Sequence, residues 1–456
     1  MDLKKLNIFS FIAAIIFAAA CMQSCSTLDL DFIFSPDHGN TENISNRVPV
    51  KPFRNVFLVY SMGFNDLNSF LKDDIKDLTE NLSMTSQRDL LLIFSHFSKG
   101  SKYSEGTCPT LTKVYKDADG IMVKDTLMTL PETTIAADKE TLREVLTYVK
   151  DNFDSETYGI LLSSHGSGWA PEGYITKPEK YESQTQNNSG DGPYSAMAFQ
   201  DDTTPVYNLA RPGEIPVKSM GVHFISSSST IEMDINEIAE AFPFKMNYII
   251  FDACYMGCVE VAYELRNVTD MLVSSQTEIL AYGMDYKTMT SYIYDQNGPD
   301  LRGLCERYFE YYDAMSGQSR SATISLVDCR KLEELAQVSK NIFSQYRDNL
   351  NSLQQTRNVQ RYFRDSYDTR STQQWFYDFG DIVEKCGISE DDLTDFNEKL
   401  NEVVTYKAAT ANFFMSQLKI EHHSGLSMYL PFTQGRDYLN NFYRELEWNK
   451  ATGLLE

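Results

Sequence analysis

Continuous apolar runs alternate with amphipathic helices along this chain, and that alternation restricts it to few architectures. Val56-Phe57-Leu58-Val59-Tyr60, Leu90-Leu91-Leu92-Ile93-Phe94, Tyr158-Gly159-Ile160-Leu161-Leu162 and Tyr248-Ile249-Ile250-Phe251 show no polar alternation. Strands of that kind need cover on both faces, as in parallel sheets. Between them, Asp66 to Leu78 places Leu67, Phe70, Leu71, Ile75 and Leu78 on one helical stripe. Asp138 can cap a helix running to about Phe153, and Asp234–Ala241 and Val259–Arg266 read as two more. Shorter strands are expected at Met271–Ser274 and Ala322–Val327, and Asp117-Ala118-Asp119-Gly120 reads as a hairpin turn between Lys113–Tyr115 and Ile121–Val123. The pattern predicts an α/β fold, a mainly parallel sheet with helices on both faces. From about Lys331 onward helices dominate, one of them expected over Thr394–Gln417, before a late strand at Gly425–Leu430.

The N-terminus reads as an export signal. Lys4 and Lys5 precede an apolar stretch from Ile8 to Ala20, too short to cross a ~30 Å hydrocarbon core as a helix but suited to a signal peptide. Ala18-Ala19-Ala20-Cys21 resembles a bacterial lipobox, with Cys25 as the alternative attachment point. The expected organisation is therefore 1–25 signal and lipidation region, 26–52 polar tether, 53–330 main domain, and 331–456 helix-rich region packing on it. Residues 170–220, rich in Pro, Gly, Asn and Ser, read as a long exposed loop within the main domain. The expected location is the cell envelope of a bacterium, at the outer membrane or cell surface, with the membrane contacted through the lipid. A net charge of −23 argues against nucleic acid as a partner.

Two strand ends carry reactive residues. Leu161-Leu162-Ser163-Ser164 runs into His165-Gly166, and Ile249-Ile250-Phe251 runs into Asp252-Ala253-Cys254. Ligands of open α/β sheets collect at the carboxyl ends of strands, so a base and a thiol are expected at one rim. A thiol near pKa ~8.5 needs such a base to act as a nucleophile. Gly166 permits close backbone approach, and its N–H with that of Cys254 could hold an oxyanion. Taken singly, the histidine could be a core or capping residue and the cysteine a small buried hydrophobe; the pairing gives them chemical meaning. Asp252 lies two residues before Cys254, where its carboxylate can face a cationic group or be satisfied by backbone amides.

Ser164-His165-Gly166-Ser167-Gly168-Trp169 and Phe251-Asp252-Ala253-Cys254-Tyr255-Met256-Gly257 resemble the two signature blocks of the clostripain family of cysteine peptidases, which share the caspase-like fold of gingipains, legumains and caspases. Val59-Tyr60 with Asn65-Asp66-Leu67, Leu71–Ile75, Ser274–Glu278 and Ser424–Pro431 are similar to further family segments. The resemblance implies a caspase-like α/β fold with His165 and Cys254 as the catalytic pair, and Asp252 as the acid that receives Arg or Lys at the cleavage position. Asp285 is a second pocket candidate. The implied activity is endopeptidase cleavage of proteins or peptides after basic residues. The alternative is an inactive caspase-like surface lipoprotein that only binds.

Family members are often cut between the histidine and the cysteine after a basic residue. Pro178 and Pro212 follow Lys177 and Arg211, which leaves Lys180 and Lys218 as processing candidates. No cofactor is called for. Calcium dependence occurs among clostripain relatives, but there is no EF-hand loop, and Asp73-Asp74 is the sole acidic hint. No metal site is expected: the adjacent His422 and His423 point apart, and no Cys/His cluster has zinc spacing.

Overall fold

A computed structural model describes residues 51–99, 105–117, 119–175, 181–182, 223–226, 229–356, 358–363, 374–414, 418–431 and 435–456. Cys21, Cys25, Lys180 and Lys218 lie outside the described residues, and Pro52–Glu456 forms one compact unit.

The framework is a nine-stranded sheet. In chain order the strands are β1 (Asn55–Gly63), β2 (Asp89–Phe97), β3 (Thr110–Lys116), β4 (Met122–Thr129) and β5 (Tyr158–Ser163). A separate hairpin follows, β6 (His223–Ser226) with β7 (Ser229–Ile231). Then come β8 (Met246–Asp252), β9 (Thr269–Ser274), β10 (Thr323–Asp328), the two-residue β11 (Tyr377–Asp378) and β12 (Val404–Ala409). The sheet order is β12-β10-β9-β8-β5-β1-β2-β3-β4. Its central five strands are parallel, and the remaining pairings are antiparallel. The apolar runs are explained by burial on both faces. Val56, Leu58, Tyr60, Ile160, Leu162, Ile249 and Phe251 belong to one core layer. Their neighbours Phe57, Val59, Leu161, Tyr248 and Ile250 belong to the other.

Helices Lys139–Asn152 and Val259–Leu265 cover the first layer with Leu142, Val145, Leu146, Val259 and Val261. Helices Tyr286–Ile293 and Leu301–Asp313 cover the second with Met289, Ile293, Leu304 and Tyr308. Asp138 caps its helix as expected, accepting from the N–H groups of Glu140 at 3.0 Å and Thr141 at 3.2 Å. Among the described residues no helix is long and apolar enough to cross a membrane.

Three expectations need correction. The helix expected over Thr394–Gln417 ends at Val403, and the chain continues as β12, the edge of the main sheet. The C-terminal region therefore supplies a strand as well as helices. The strand expected over Gly425–Leu430 is reduced to Ser427–Met428, because its partner β11 has only two residues. Third, the start of the expected exposed loop is interior. Ala170, Tyr174, Ile175 and Glu182 are buried, and Tyr174 stacks on Tyr438 with ring centroids 6.1 Å apart. Glu182 accepts from Tyr174 Oη at 2.6 Å and from the Tyr438 and Leu439 N–H groups at the start of helix Asp437–Glu445.

Removing the Asp138 cap leaves two helix-terminal donors without their side-chain acceptor. Asp138→Ala is expected to lower stability by about 1 kcal/mol. In urea unfolding this reads as a lower midpoint at unchanged slope.

Candidate functional site

The site is built where three parallel strands end together. Ser61 of β1 pairs with Ser163 of β5, and Ser163 pairs with Asp252 of β8. His165 and Cys254 thus each lie two residues beyond paired positions of adjacent strands. The two exits touch: a Cβ on Gly166 would fall 2.5 Å from the Cys254 carbonyl oxygen and 3.1 Å from its nitrogen. Only glycine allows this approach, and it puts the Gly166 and Cys254 backbones side by side, as the proposed oxyanion pair requires.

The first strand contributes a residue that the sequence reading did not assign. Asp66, just beyond β1, places Oδ1 2.7 Å from His165 Nε2, across 99 positions of sequence. Its loop is held by Asn65, which donates to the Met62 carbonyl at 2.9 Å and accepts from the Leu67 N–H at 3.0 Å. Ser164 Oγ donates to the same Met62 carbonyl at 3.1 Å, fixing β5's exit to β1's. With Nε2 on a carboxylate, the proton belongs on that nitrogen and the lone pair on Nδ1. His165 Nδ1 is buried and has no hydrogen-bond partner among the described residues. The only sequence signal for Asp66 was its place in the Asn65-Asp66-Leu67 segment.

Cys254 is fully buried. Its Sγ accepts from the Ile279 N–H at 3.1 Å and lies 3.8 Å from the Ile279 carbonyl. The turn around it is tightly held. Tyr255 has φ +60°, a left-handed conformation that bulky residues adopt only under constraint. Its N–H donates to the Thr277 carbonyl at 3.0 Å, and the Gly257 N–H to the Ser275 carbonyl at 2.7 Å. The Tyr255 ring stacks on Phe376 at 4.8 Å. A small cleft of about 50 Å³ runs beside the turn, lined by His165, Gly166, Glu232, Ala253 and Met256 among others. Burial pushes the Glu232 carboxyl up to about 8, so this wall is protonated at neutral pH.

The two proposed pocket acids differ in setting. Asp252 is fully buried, and its Oδ2 accepts from Ser163 Oγ at 2.9 Å and Tyr286 Oη at 2.5 Å. Oδ2 is thus held by hydroxyls from β5 and the Tyr286–Ile293 helix. Asp285 Oδ2 is engaged by Arg307 Nε at 2.6 Å and Thr288 Oγ1 at 2.9 Å. The chain's own guanidinium thus occupies the carboxylate that a substrate cation would use.

Glu260 lies behind the turn, six residues beyond Cys254, and accepts from the Tyr429 N–H and Tyr443 Oη, both at 2.8 Å. Burial raises its carboxyl to about 7, against the lowering effect of these hydrogen bonds.

The clostripain family model matches residues 59–192 and 216–453. Clostripain of Hathewaya histolytica is 24% identical over 342 residues, covering 64% of this chain; the chain spans 57% of that relative's length. An inactive zymogen C11 protease from Parabacteroides distasonis is 25% identical, with TM-score 0.67 over 89% of this chain and 99% of its own. A secreted C11 cysteine protease from Bacteroides thetaiotaomicron is 25% identical, with TM-score 0.64 over 88% of this chain and 100% of its own. The caspase-like fold expected from sequence is thus the observed one.

Because the folded-state pKa of Glu260 exceeds its unfolded value, its contribution is fully present below about pH 4.5 and lost as pH rises through about 7. Glu260→Gln keeps an acceptor for both donors and removes the titration. The stability of the variant relative to the parent should rise between pH 5 and pH 8 in urea unfolding. A difference that stays flat over that range would count against a buried, titrating Glu260.

Proposed function

Because this chain belongs to the clostripain family, we propose that it is an endopeptidase that hydrolyses peptide bonds through a thioester, with Cys254 as nucleophile and His165 as acid–base group. The observation that carries this reading is the contact between the two strand exits, with Gly166 against the Cys254 backbone. His165 Nδ1 takes the Cys254 thiol proton as the sulfur attacks the scissile carbonyl carbon, and the negative charge passes to the carbonyl oxygen, held by the Gly166 and Cys254 N–H groups. His165 protonates the leaving amine, and the C–N bond breaks to leave a thioester. His165 then takes a proton from water, whose oxygen attacks the thioester and frees the acid product and the thiol. Asp66 acts through His165, as a positioning residue that keeps the Nε2 proton in place and directs Nδ1 at the reacting groups.

Specificity for Arg or Lys is assigned to Asp252. In its support, the Asp252 side chain is fully buried two residues before Cys254, where a substrate cation would interact with it more strongly than in water. Asp285 is left out of this assignment because Arg307 already holds it.

The described arrangement suits a latent form. Cys254 is enclosed, with its sulfur on the Ile279 amide, and must turn toward the cleft to meet a substrate. Cleavage after Lys180 or Lys218, between the two catalytic segments, is the activating event we assign. The burial of Cys254 equally favours a second reading, a caspase-like lipoprotein that binds without cutting. The cellular setting we propose is export followed by lipid attachment at Cys21, with Cys25 as alternative; the likeness to a protein described as secreted supports export. Incorporation of a palmitate analogue should survive Cys25→Ala and vanish in Cys21→Ala.

Fluorogenic peptides ending in Arg, Lys, Asp or Leu separate these readings when offered to the protein from Ser26 onward. Cleavage of the basic peptides alone is expected, abolished in Cys254→Ala and reduced roughly 10²–10⁴-fold in His165→Ala. Cleavage after Asp or Leu would remove the role given to Asp252. Full activity of a chain that stays intact on a denaturing gel would sink the processing step. No cleavage after nicking within 176–222 would favour the binding protein.

A further inference from the structure

The short helix Phe379–Lys385 carries a carboxylate that its surroundings satisfy on one side only. The Asp381 side chain has 0% exposure. Its Oδ2 accepts from the Gln360 N–H at 2.6 Å and from Lys385 Nζ at 2.9 Å. Its Oδ1 is enclosed and has no hydrogen-bond partner among the described residues, an arrangement that costs free energy for a buried polar oxygen. Facing Oδ1 at 3.5 Å is Nδ1 of His422. One donor atom each from Asp381, Glu384 and His422 lie within 4.8 Å of one another.

The 3.5 Å separation suits a shared ion better than a direct bond. A separation of 3.5 Å is long for N–H···O, whose usual limit is about 3.2 Å. Two donors each ~2.1 Å from a tetrahedral metal are separated by ~3.4 Å. Asp381 and Glu384 are three residues apart and so share one helix face. His422 is brought to that face by its own segment. The Ser424 N–H donates to Asp378 Oδ2 at 2.6 Å, and Ser424 Oγ accepts from the Gly380 N–H at 3.1 Å.

We propose that Asp381, Glu384 and His422 bind one divalent transition-metal ion of the zinc class, with water completing the shell. An imidazole with two carboxylates is a ligand set for Zn²⁺, Co²⁺ or Ni²⁺, whereas calcium takes oxygen ligands alone. Lys385 fits this arrangement as an outer partner, since its ammonium engages Oδ2 and orients Oδ1 inward. The two carboxylates exceed that one cation, and neighbouring Lys419 is paired with Glu421 at 2.5 Å. The ion would fasten the 421–424 segment to the helix. From there the chain reaches Ser427, whose N–H donates to the Gly257 carbonyl at 2.9 Å, three residues beyond Cys254. The site would thus brace the nucleophile's turn from behind without joining the chemistry. The sequence reading set His422 aside because it and His423 point apart, and the partners proposed here come from a helix about 40 residues earlier.

Chelator-stripped full chain titrated with Zn²⁺ by calorimetry, and with Co²⁺ by visible absorption, tests this. One equivalent is expected to bind, and to raise the unfolding temperature. Cys254→Ala should bind equally well, which separates this site from a thiol. Glu384 and His422 are both exposed, so Glu384→Gln and His422→Ala should fold. Each is expected to weaken binding by at least ~10-fold, as outer-shell changes alone can do. Undiminished binding in His422→Ala, loss of binding in Cys254→Ala, or no binding by the parent chain would each overturn the assignment. In the last case His422 and Asp381 form a direct ion pair when the histidine is protonated.

Discussion

The parallel pairing of β5 between β1 and β8 is the constraint on which the rest of the structure depends. It is a backbone interaction, in register from Val56 with Tyr158 to Ser163 with Asp252. Because all three strands run the same way, their carboxyl ends emerge at one edge, and Asp66, His165 and Cys254 emerge with them. A slip of one residue would turn every side chain of a strand to the opposite face. Here both faces are buried, and bulky residues such as Tyr248 and Phe251 fit only one layer each, so the register is fixed by packing on two sides. The precision of the site is inherited from that packing.

Around this edge the structure relies on buried polar groups, most with specified partners. Asp252 is held by Ser163 and Tyr286, Glu260 by Tyr429 and Tyr443, and Gln276 Nε2 by Ser325 Oγ and the Gly425 carbonyl. Each of these hydrogen bonds favours one arrangement of the segments that meet there, since breaking it would strand a buried donor or acceptor away from water. Several of these partners come from beyond residue 400. The C-terminal region therefore does more than cover the sheet. Its Ser427 bonds directly to Gly257 of the Cys254 turn, and Phe376 supports the Tyr255 ring whose backbone is held at positive φ.

That turn also accounts for the arrangement of the thiol. With Tyr255 and Gly257 bonded to Thr277 and Ser275, the Cys254 side chain sits within reach of the Ile279 amide. A sulfur held there is shielded from bulk water. The histidine keeps its own orientation through Asp66, independently of the cysteine, so its geometry does not require the thiol to be in place.

Much of this was legible in the sequence. The uninterrupted apolar runs at 56–60, 90–94, 158–162 and 248–251 identified buried parallel strands, because a strand covered on both faces has no polar side to show. His165, Gly166, Asp252 and Cys254 could be placed at strand ends from those same runs. What stayed hidden shares one physical cause, that the deciding partners are distant in sequence. β12 reads Val404-Thr405-Tyr406-Lys407-Ala408-Ala409, half polar and directly following a helix; only its pairing with β10 makes it a strand. The stretch after Trp169 has loop composition, yet an aromatic cluster with Tyr438 and Trp375 draws its first residues inside. Asp66 has no local mark of its role until β1 is laid beside β5. The sequence by itself determined which segments must be buried and which chemically reactive residues end them, since those follow from local periodicity and residue type. Only the tertiary structure decided that Asp66 orients His165, that Arg307 occupies Asp285, and that Asp381, Glu384 and His422 converge, because those depend on how separate segments meet.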